Sequence, residues 1–196
     1  MKLKSYFKVE ENVFTAKECD DIIQFAESGL YSKEDRQAAF RDSDVIFFPH
    51  DDDSNWIYER LYTAIDDVKK KTWRTFKIYN LQSLQYTIYR PPGGRYDWHC
   101  DTGPVRSGMD QRVISAVVQL LDPATYEGGQ FEVARYASVD LNKVMYGQPP
   151  DDDIVESISA PRGSVTVFPS IVQHRVLPVS SGIRKSLVGW CDGRFI

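Results

Sequence analysis

The sequence predicts a mainly β fold with flanking helices (α+β), and three observations carry that expectation. Two amphipathic helical stretches lie before residue 80. From residue 83 the pattern changes to short β-type segments punctuated by Gly and Pro. The connections between them, such as Pro91-Pro92-Gly93-Gly94 and Glu127-Gly128-Gly129, are turns without helical character. Strands joined by turns form a sandwich or jelly roll, whereas βαβ units would build a parallel sheet.

The first helix opens at the capping box Thr15-Ala16-Lys17-Glu18, places Cys19, Ile22, Ile23 and Ala26 on one apolar face, and ends at Gly29. The second starts from Ser54 as N-cap and carries Ile57, Leu61, Ile65 and Val68 at helical spacing. Lys69-Lys70-Lys71 close it, where cations complement the helix dipole. A nucleic-acid patch built from those lysines with Trp73, Arg74 and Phe76 is the less favoured reading. Asp51-Asp52-Asp53 beside His50 reads as capping electrostatics rather than a cation site. Strands are expected at 83–89, 96–101, 113–121, 130–133, 164–168, 173–179 and 183–190. Residues 140–156 form the longest polar connection, with partial helix near 140–145, and 102–112 reads as a mobile loop, a candidate lid.

The chain has 196 residues and a formal net charge of −4. That length suits one domain over 1–196, with helical support over about 1–80 and the β core over about 81–196. Apolar residues make up 42% and aromatics 13%, enough for a real core and unlike a disordered chain. The acidic balance argues against a general polyanion binder, so a nucleic-acid partner is not expected. Cys19, Cys100 and Cys191 are too widely spaced to suggest a disulfide framework or structural zinc. The first residues lack an apolar leader and no run is long enough for a membrane span, so the expected location is cytoplasmic, as for a bacterial or phage-type enzyme.

Two of the three histidines, His99 and His174, fall in β-type segments. Side chains two apart on a strand share a face, so His99 and Asp101 project together with α-carbons about 6.6 Å apart. His174 from another strand would complete a two-histidine, one-carboxylate set, the arrangement of non-haem Fe(II) oxygenases. The His-x-Asp pattern alone is weak, since with 19 Asp in the chain three histidines give about one chance in four of an accidental match. Arg184, ten residues beyond His174 and followed by Ser186 on the same face, adds weight, because a buried guanidinium needs an anion.

These residues resemble the 2-oxoglutarate and Fe(II)-dependent dioxygenases, in their prolyl 4-hydroxylase-like branch, over about residues 81–192. The likeness rests on Tyr89-Arg90-Pro91-Pro92-Gly93-Gly94-Arg95-Tyr96-Asp97-Trp98-His99-Cys100-Asp101, on Tyr126-Glu127-Gly128-Gly129, on Gly163 through Ser170 running into His174-Arg175-Val176-Leu177-Pro178-Val179, and on Gly182 and Arg184. The resemblance implies a double-stranded β-helix (jelly-roll, cupin-like) core supported by N-terminal helices. It assigns His99, Asp101 and His174 to Fe(II) as the catalytic and metal residues. Arg184, with Ser186 beside it, takes the distal carboxylate of 2-oxoglutarate, and Tyr89 hydrogen-bonds that cosubstrate. The resemblance also implies Tyr96 at the substrate entrance; Asp97, Trp98, Arg106 and Arg112, near the opening beside the candidate lid, are separately expected to recognise a peptide.

The implied reaction consumes O2 and 2-oxoglutarate, releases succinate and CO2, and hydroxylates a substrate, with ascorbate as a candidate reductant. The expected partner is a proline-containing peptide or protein. Many animal prolyl hydroxylases carry Lys where this chain has Arg184, which weakens any inference about collagen-like substrates. An oxygenase acting on a small molecule or nucleobase, and a non-catalytic or zinc-loaded jelly-roll module, are the alternatives.

Overall fold

The computed structural model describes residues 5–102, 111–135, 150 and 154–195. In chain order, β1 (Lys8–Glu10) leads to α1 (Ala16–Ala26), β2 (Lys33–Ala38), β3 (Arg41–Phe48) and α2 (Asn55–Thr72). The strands β4 (Phe76–Leu81), β5 (Leu84–Tyr89), β6 (Arg95–His99) and β7 (Gln111–Gln119) follow. After a 3-10 turn come β8 (Glu127–Gly128), β9 (Phe131–Ala134), β10 (Val155–Ile158), β11 (Val165–Pro169), β12 (His174–Val176), β13 (Val179–Ser181) and β14 (Arg184–Phe195).

The main sheet runs β1-β11-β7-β14-β5-β3-β6-β12-β9-β10, with β2 added to β3, β4 added to β14, and β8–β13 as a separate pair. β3 joins the two halves, pairing with β5 over Asp44–Phe48 and with β6 at Arg41 and Asp42. The sheet therefore curls, and the strands on one side of β3 face those on the other across an internal cavity. This is the jelly roll expected from the sequence.

Burial follows strand parity. Leu84, Tyr86 and Ile88 of β5, Ile114, Ala116 and Val118 of β7, and Leu187 and Cys191 of β14 point outward into the core beneath the helices. There they meet Cys19 and Ile22 of α1 and Ile57, Leu61, Ile65 and Val68 of α2. The alternate residues, among them Gln85, Tyr89, Val117, Arg184 and Ser186, face the cavity. Covering both faces explains why every residue of β5 is buried and why its sequence shows no polar alternation.

The capping box of α1 forms as expected: Thr15 N–H donates to Glu18 and Glu18 N–H to Thr15 Oγ1. Ser54 is the N-cap residue of α2 but makes no side-chain cap. Its hydroxyl donates instead to the Pro49 carbonyl at 2.8 Å, and its N–H is taken by Asp51 Oδ1 at 2.9 Å. Lys69 and Lys70 at the end of α2 pair with Asp66, while Trp73 and Phe76 are buried and so not available for base stacking.

The first 81 residues supply strands as well as helices. β2 is exposed at every position, and β3 begins with strand-disfavouring Asp42 and Asp44, so neither gives a sequence signal. Asp44 is neutralised in place by Lys33 at 3.2 Å and Arg90 at 3.3 Å. The segment expected as one strand over 173–179 breaks between β12 and β13 at Leu177-Pro178, and β14 runs five residues beyond the expected end. The candidate helix near 140–145 and residues 103–110 of the candidate lid lie outside the described residues. No helix among the described residues is long and apolar enough to cross a membrane.

Tyr58 ties the helical layer to the sheet. Its buried hydroxyl donates to the Phe48 carbonyl and accepts the Leu84 N–H, both at 3.0 Å. Tyr58→Phe is expected to destabilise the protein by about 1–3 kcal/mol, because two buried backbone groups lose their partner at once. Equilibrium denaturation would show this as a lower midpoint with unchanged slope.

Candidate active site

Within the curled sheet a cavity of about 190 Å³ is lined by residues of β2, β3, β5, β6, β7, β9, β12 and β14. At its floor the ligand atoms of His99, Asp101 and His174 lie within 4.8 Å of one another. His99 and His174 are paired residues of the antiparallel strands β6 and β12, so the register itself sets the two imidazoles side by side. Asp101 follows the end of β6, and its backbone N–H donates to Ser170 O at 2.9 Å. The two Nε2 atoms stand 3.9 and 3.5 Å from the Asp101 carboxylate.

Both rings are oriented from behind. His99 Nδ1 donates to Asp97 O at 2.8 Å and His174 Nδ1 to Val172 O at 2.9 Å. A carbonyl only accepts, so each Nδ1 carries the proton and each Nε2 presents a lone pair to the cavity. Tyr96 stacks on His99 with centroids 3.5 Å apart, and Phe168 packs edge-on against His174 at 4.7 Å. Burial, with His174 alongside, pushes His99 well below the ordinary histidine range, keeping the imidazole neutral.

Burial alone would raise the Asp101 carboxyl. The Ser115 hydroxyl, donating at 2.7 Å, and the Trp190 side chain favour the ionised form, and the group is held below the ordinary carboxylate range. Two neutral nitrogen donors and one carboxylate suit a divalent transition metal and would leave coordination positions open. Among the described residues no other group of three His, Cys, Asp or Glu side chains converges in this way.

Arg184 lines the same cavity and is 2% exposed. It pairs across the sheet with Tyr89, so the two side chains share a face, and the guanidinium carbon sits 5.4 Å from the Tyr89 ring centroid. Its Nη1 reaches Ser186 Oγ at 3.3 Å. Burial raises Tyr89, so its hydroxyl stays protonated and available as a donor. Gly129 gives the Arg184 stem its room: at φ +66° its position suits glycine, and a Cβ there would come within 3.0 Å of Arg184 Cδ.

Tyr96 joins this cavity through a β-bulge. Between the pairs His174↔His99 and Val176↔Tyr96, β6 has one residue more than β12, which returns Tyr96 to the His99 face. Arg112 also lines the cavity, lying over Trp190 at 3.9 Å. Trp98 does not line it: adjacent to His99, it faces the other side of β6, where the Arg175 guanidinium covers its ring at 4.6 Å. Asp97 is exposed and pairs with Arg95 at 3.6 Å. Arg106 lies outside the described residues.

Sequence reasoning missed Arg41 and Trp190 as carriers of buried donors. Arg41 Nη2 and Trp190 Nε1 are both buried without a well-formed hydrogen bond, their side chains interacting with Tyr96 and Asp101 respectively, and both residues line the cavity. Trp190 was visible as a continuation of the Arg184 face; Arg41 belongs to the strand that gave no signal.

Comparison with known proteins agrees with this geometry. Residues 84–192 match the family model described as the 2OG-Fe(II) oxygenase superfamily. A PKHD-type hydroxylase of Synechococcus sp. (strain CC9311) is 34% identical over 101 residues, which are 50% of this chain and 37% of that protein. A PKHD-type hydroxylase of Klebsiella pneumoniae is 28% identical over 144 residues, 68% of this chain and 55% of that protein. The chain thus spans roughly a third to a half of these relatives' length.

Among solved structures, a Pseudomonas putida prolyl-4-hydroxylase superposes with TM-score 0.69 at 18% identity, covering 97% of this chain and 94% of that one. A Trichoplax adhaerens prolyl hydroxylase in complex with a hypoxia inducible factor oxygen degradation domain peptide fragment gives 0.69 at 16% identity, covering 96% and 84%. At these identities the superpositions establish a shared fold.

Proposed function

The chain belongs to the 2OG-Fe(II) oxygenase superfamily, and from that premise we propose that it hydroxylates a prolyl residue of a peptide or protein. The balanced reaction takes substrate, 2-oxoglutarate and O2 to hydroxylated substrate, succinate and CO2. The observation that carries the proposal is the convergence of His99, Asp101 and His174 at the floor of a cavity that also holds a buried arginine. The prolyl assignment draws support from the hydroxylase relatives and from the prolyl hydroxylases that share the fold.

In this reading His99 Nε2, His174 Nε2 and the Asp101 carboxylate hold Fe(II), which supplies O2 activation and the oxidising power for the C–H bond. The chain's own residues do the rest. The backbone bonds from both Nδ1 atoms fix the imidazole tautomers, and the Ser115 hydroxyl fixes the Asp101 carboxylate. Arg184, with Ser186 and the Tyr89 hydroxyl, holds the distal carboxylate of 2-oxoglutarate in a site from which water is excluded, where a charge-assisted pair is strong. Tyr96 holds His99 by stacking and walls the substrate side.

Succinate release from purified protein with Fe(II), 2-oxoglutarate and ascorbate, with and without proline-containing peptides, tests the proposal. Succinate formation is expected to rise with at least one peptide, and the same peptide should gain 16 Da on proline. Turnover indifferent to every peptide would overturn the prolyl assignment and leave the oxygenase one. Failure to bind 2-oxoglutarate in the presence of metal would overturn both.

A further inference from the structure

Resting on the oxygenase reading above, we infer that the substrate offers a carboxylate to Arg41 beside the iron site, so that its class is an acidic or free-carboxylate prolyl segment rather than a neutral, collagen-like one. Among the described residues the cavity is lined by Arg36, Arg41, Arg112 and Arg184, and the single carboxylate lining it is the proposed metal ligand Asp101. Arg184 is reserved for the cosubstrate, and Arg36 is paired with Glu34. Arg41 and Arg112 remain, in a chain whose overall charge is −4, so the positive field is local to this opening.

Both guanidinium groups are fixed by one edge and one face. Arg41 Nε donates to Ser43 Oγ at 2.8 Å, and its guanidinium lies over the Tyr96 ring at 4.5 Å. Arg112 Nε donates to Gln82 Oε1 at 2.9 Å, Gln82 in turn donates to Asp192 at 2.6 Å, and the Arg112 guanidinium lies over Trp190 at 3.9 Å. Arg41 lies over Tyr96, which is stacked on His99, so its guanidinium sits one ring removed from the proposed iron.

Arg41 Nη2 is buried without a well-formed hydrogen bond, and the side chain's neighbour there is the Tyr96 phenol and not, among the described residues, a carboxylate. A buried, poorly answered guanidinium N–H is costly, and a planar anion with two oxygens is the group that answers a guanidinium best. A lone backbone carbonyl would satisfy one N–H and leave the surplus positive charge of the opening uncompensated. The carboxylate can come from an Asp or Glu side chain flanking the proline or from the α-carboxylate of a terminal proline.

Three peptides distinguish these sources when titrated calorimetrically into protein loaded with Mn(II) and 2-oxoglutarate. One has blocked ends and Asp and Glu flanking a central proline; the second replaces them with Asn and Gln; the third is neutral but ends in proline with a free carboxylate. At least one carboxylate-bearing peptide is expected to bind about tenfold or more tightly than the blocked neutral one, and that preference should shrink as salt is raised. In Arg41→Gln the preference should fall below about twofold, while Arg41→Lys retains part of it.

Equal affinities of all three peptides, absence of binding by all three, or a preference that survives in Arg41→Gln overturns the inference, as does a loss in that variant of affinity for 2-oxoglutarate itself. Should Arg41→Gln fail to fold, the same comparison in Arg112→Gln and the wild-type salt dependence decide. Failure of the wild-type protein to bind 2-oxoglutarate would instead overturn the oxygenase reading on which this one rests.

Discussion

Asp101→Ala is expected to abolish succinate formation and to weaken metal binding by more than the roughly 10–100-fold that loss of an outer-shell partner costs, while leaving the metal-free protein folded. The first part follows from the donor set. Among the described residues Asp101 supplies the single carboxylate lining the cavity, so its removal leaves two neutral imidazoles that carry no charge to hold a divalent ion.

The second part follows from what Asp101 does without metal. Its side chain is 8% exposed, and Ser115 Oγ donates to it at 2.7 Å. Ser115 keeps a second partner, Ser170 Oγ at 2.9 Å, so removing the carboxylate leaves no orphaned hydroxyl. The core under α1 and α2 is apolar and lies on the other face of the sheet. Titration with Fe(II) or Mn(II) and thermal melting of the metal-free variant check both parts. Loss of soluble protein in Asp101→Ala and in His99→Ala alike would make the metal structural, which the packing contradicts.

Much of this site could be read from the sequence because strand parity is a local property. His99 with Asp101, and Arg184 with Ser186, Val188 and Trp190, share faces by simple alternation, and all of them line the cavity, Asp101 from just beyond the end of β6. Alternation also places Trp98 opposite His99, which is why the structure puts it outside. Taken literally, the same rule would exclude Tyr96, and the bulge in β6 reverses that result. A bulge needs a partner strand to define it, so no reading of β6 alone could find it.

The fold shows the same division. β5, β7 and β14 carry β-branched and aromatic residues in bounded runs, whereas β2 is polar at every position but Ala38 and β3 is half so. Their strand state is imposed by pairing, β2 on β3 and β3 on both halves of the sheet. Arg41 stayed hidden for that reason: nothing in Arg41-Asp42-Ser43-Asp44 announces the strand whose first residue reaches into the cavity.

Arg184→Met is expected to lose affinity for 2-oxoglutarate by about 10²–10³-fold without lowering the thermal stability of the ligand-free protein. Truncating the buried partner of a carboxylate typically costs 2–5 kcal/mol or more, which sets that range. The stability claim is the less obvious one, since Arg184 is among the largest fully buried side chains. Among the described residues it forms no ion pair. What it has is a 3.3 Å contact with Ser186 and the face of Tyr89, too little to compensate the several kcal/mol of desolvation that a buried cation carries. Methionine fills similar volume, adapts to irregular space and removes the charge, so the ligand-free melting temperature should hold or rise.

The wild-type protein should behave oppositely once ligand is present. At a hundredfold excess of 2-oxoglutarate over its dissociation constant, with metal bound, linkage adds about 2.7 kcal/mol of stability, and Arg184→Met should gain little of it at the same concentration. Metal affinity in the absence of 2-oxoglutarate should be unchanged, because Arg184 is not among the converging ligand atoms. A variant that melts lower than wild type without ligand would mean that the cation is held by its surroundings after all. One that 2-oxoglutarate stabilises as much as wild type would place the cosubstrate elsewhere in the cavity.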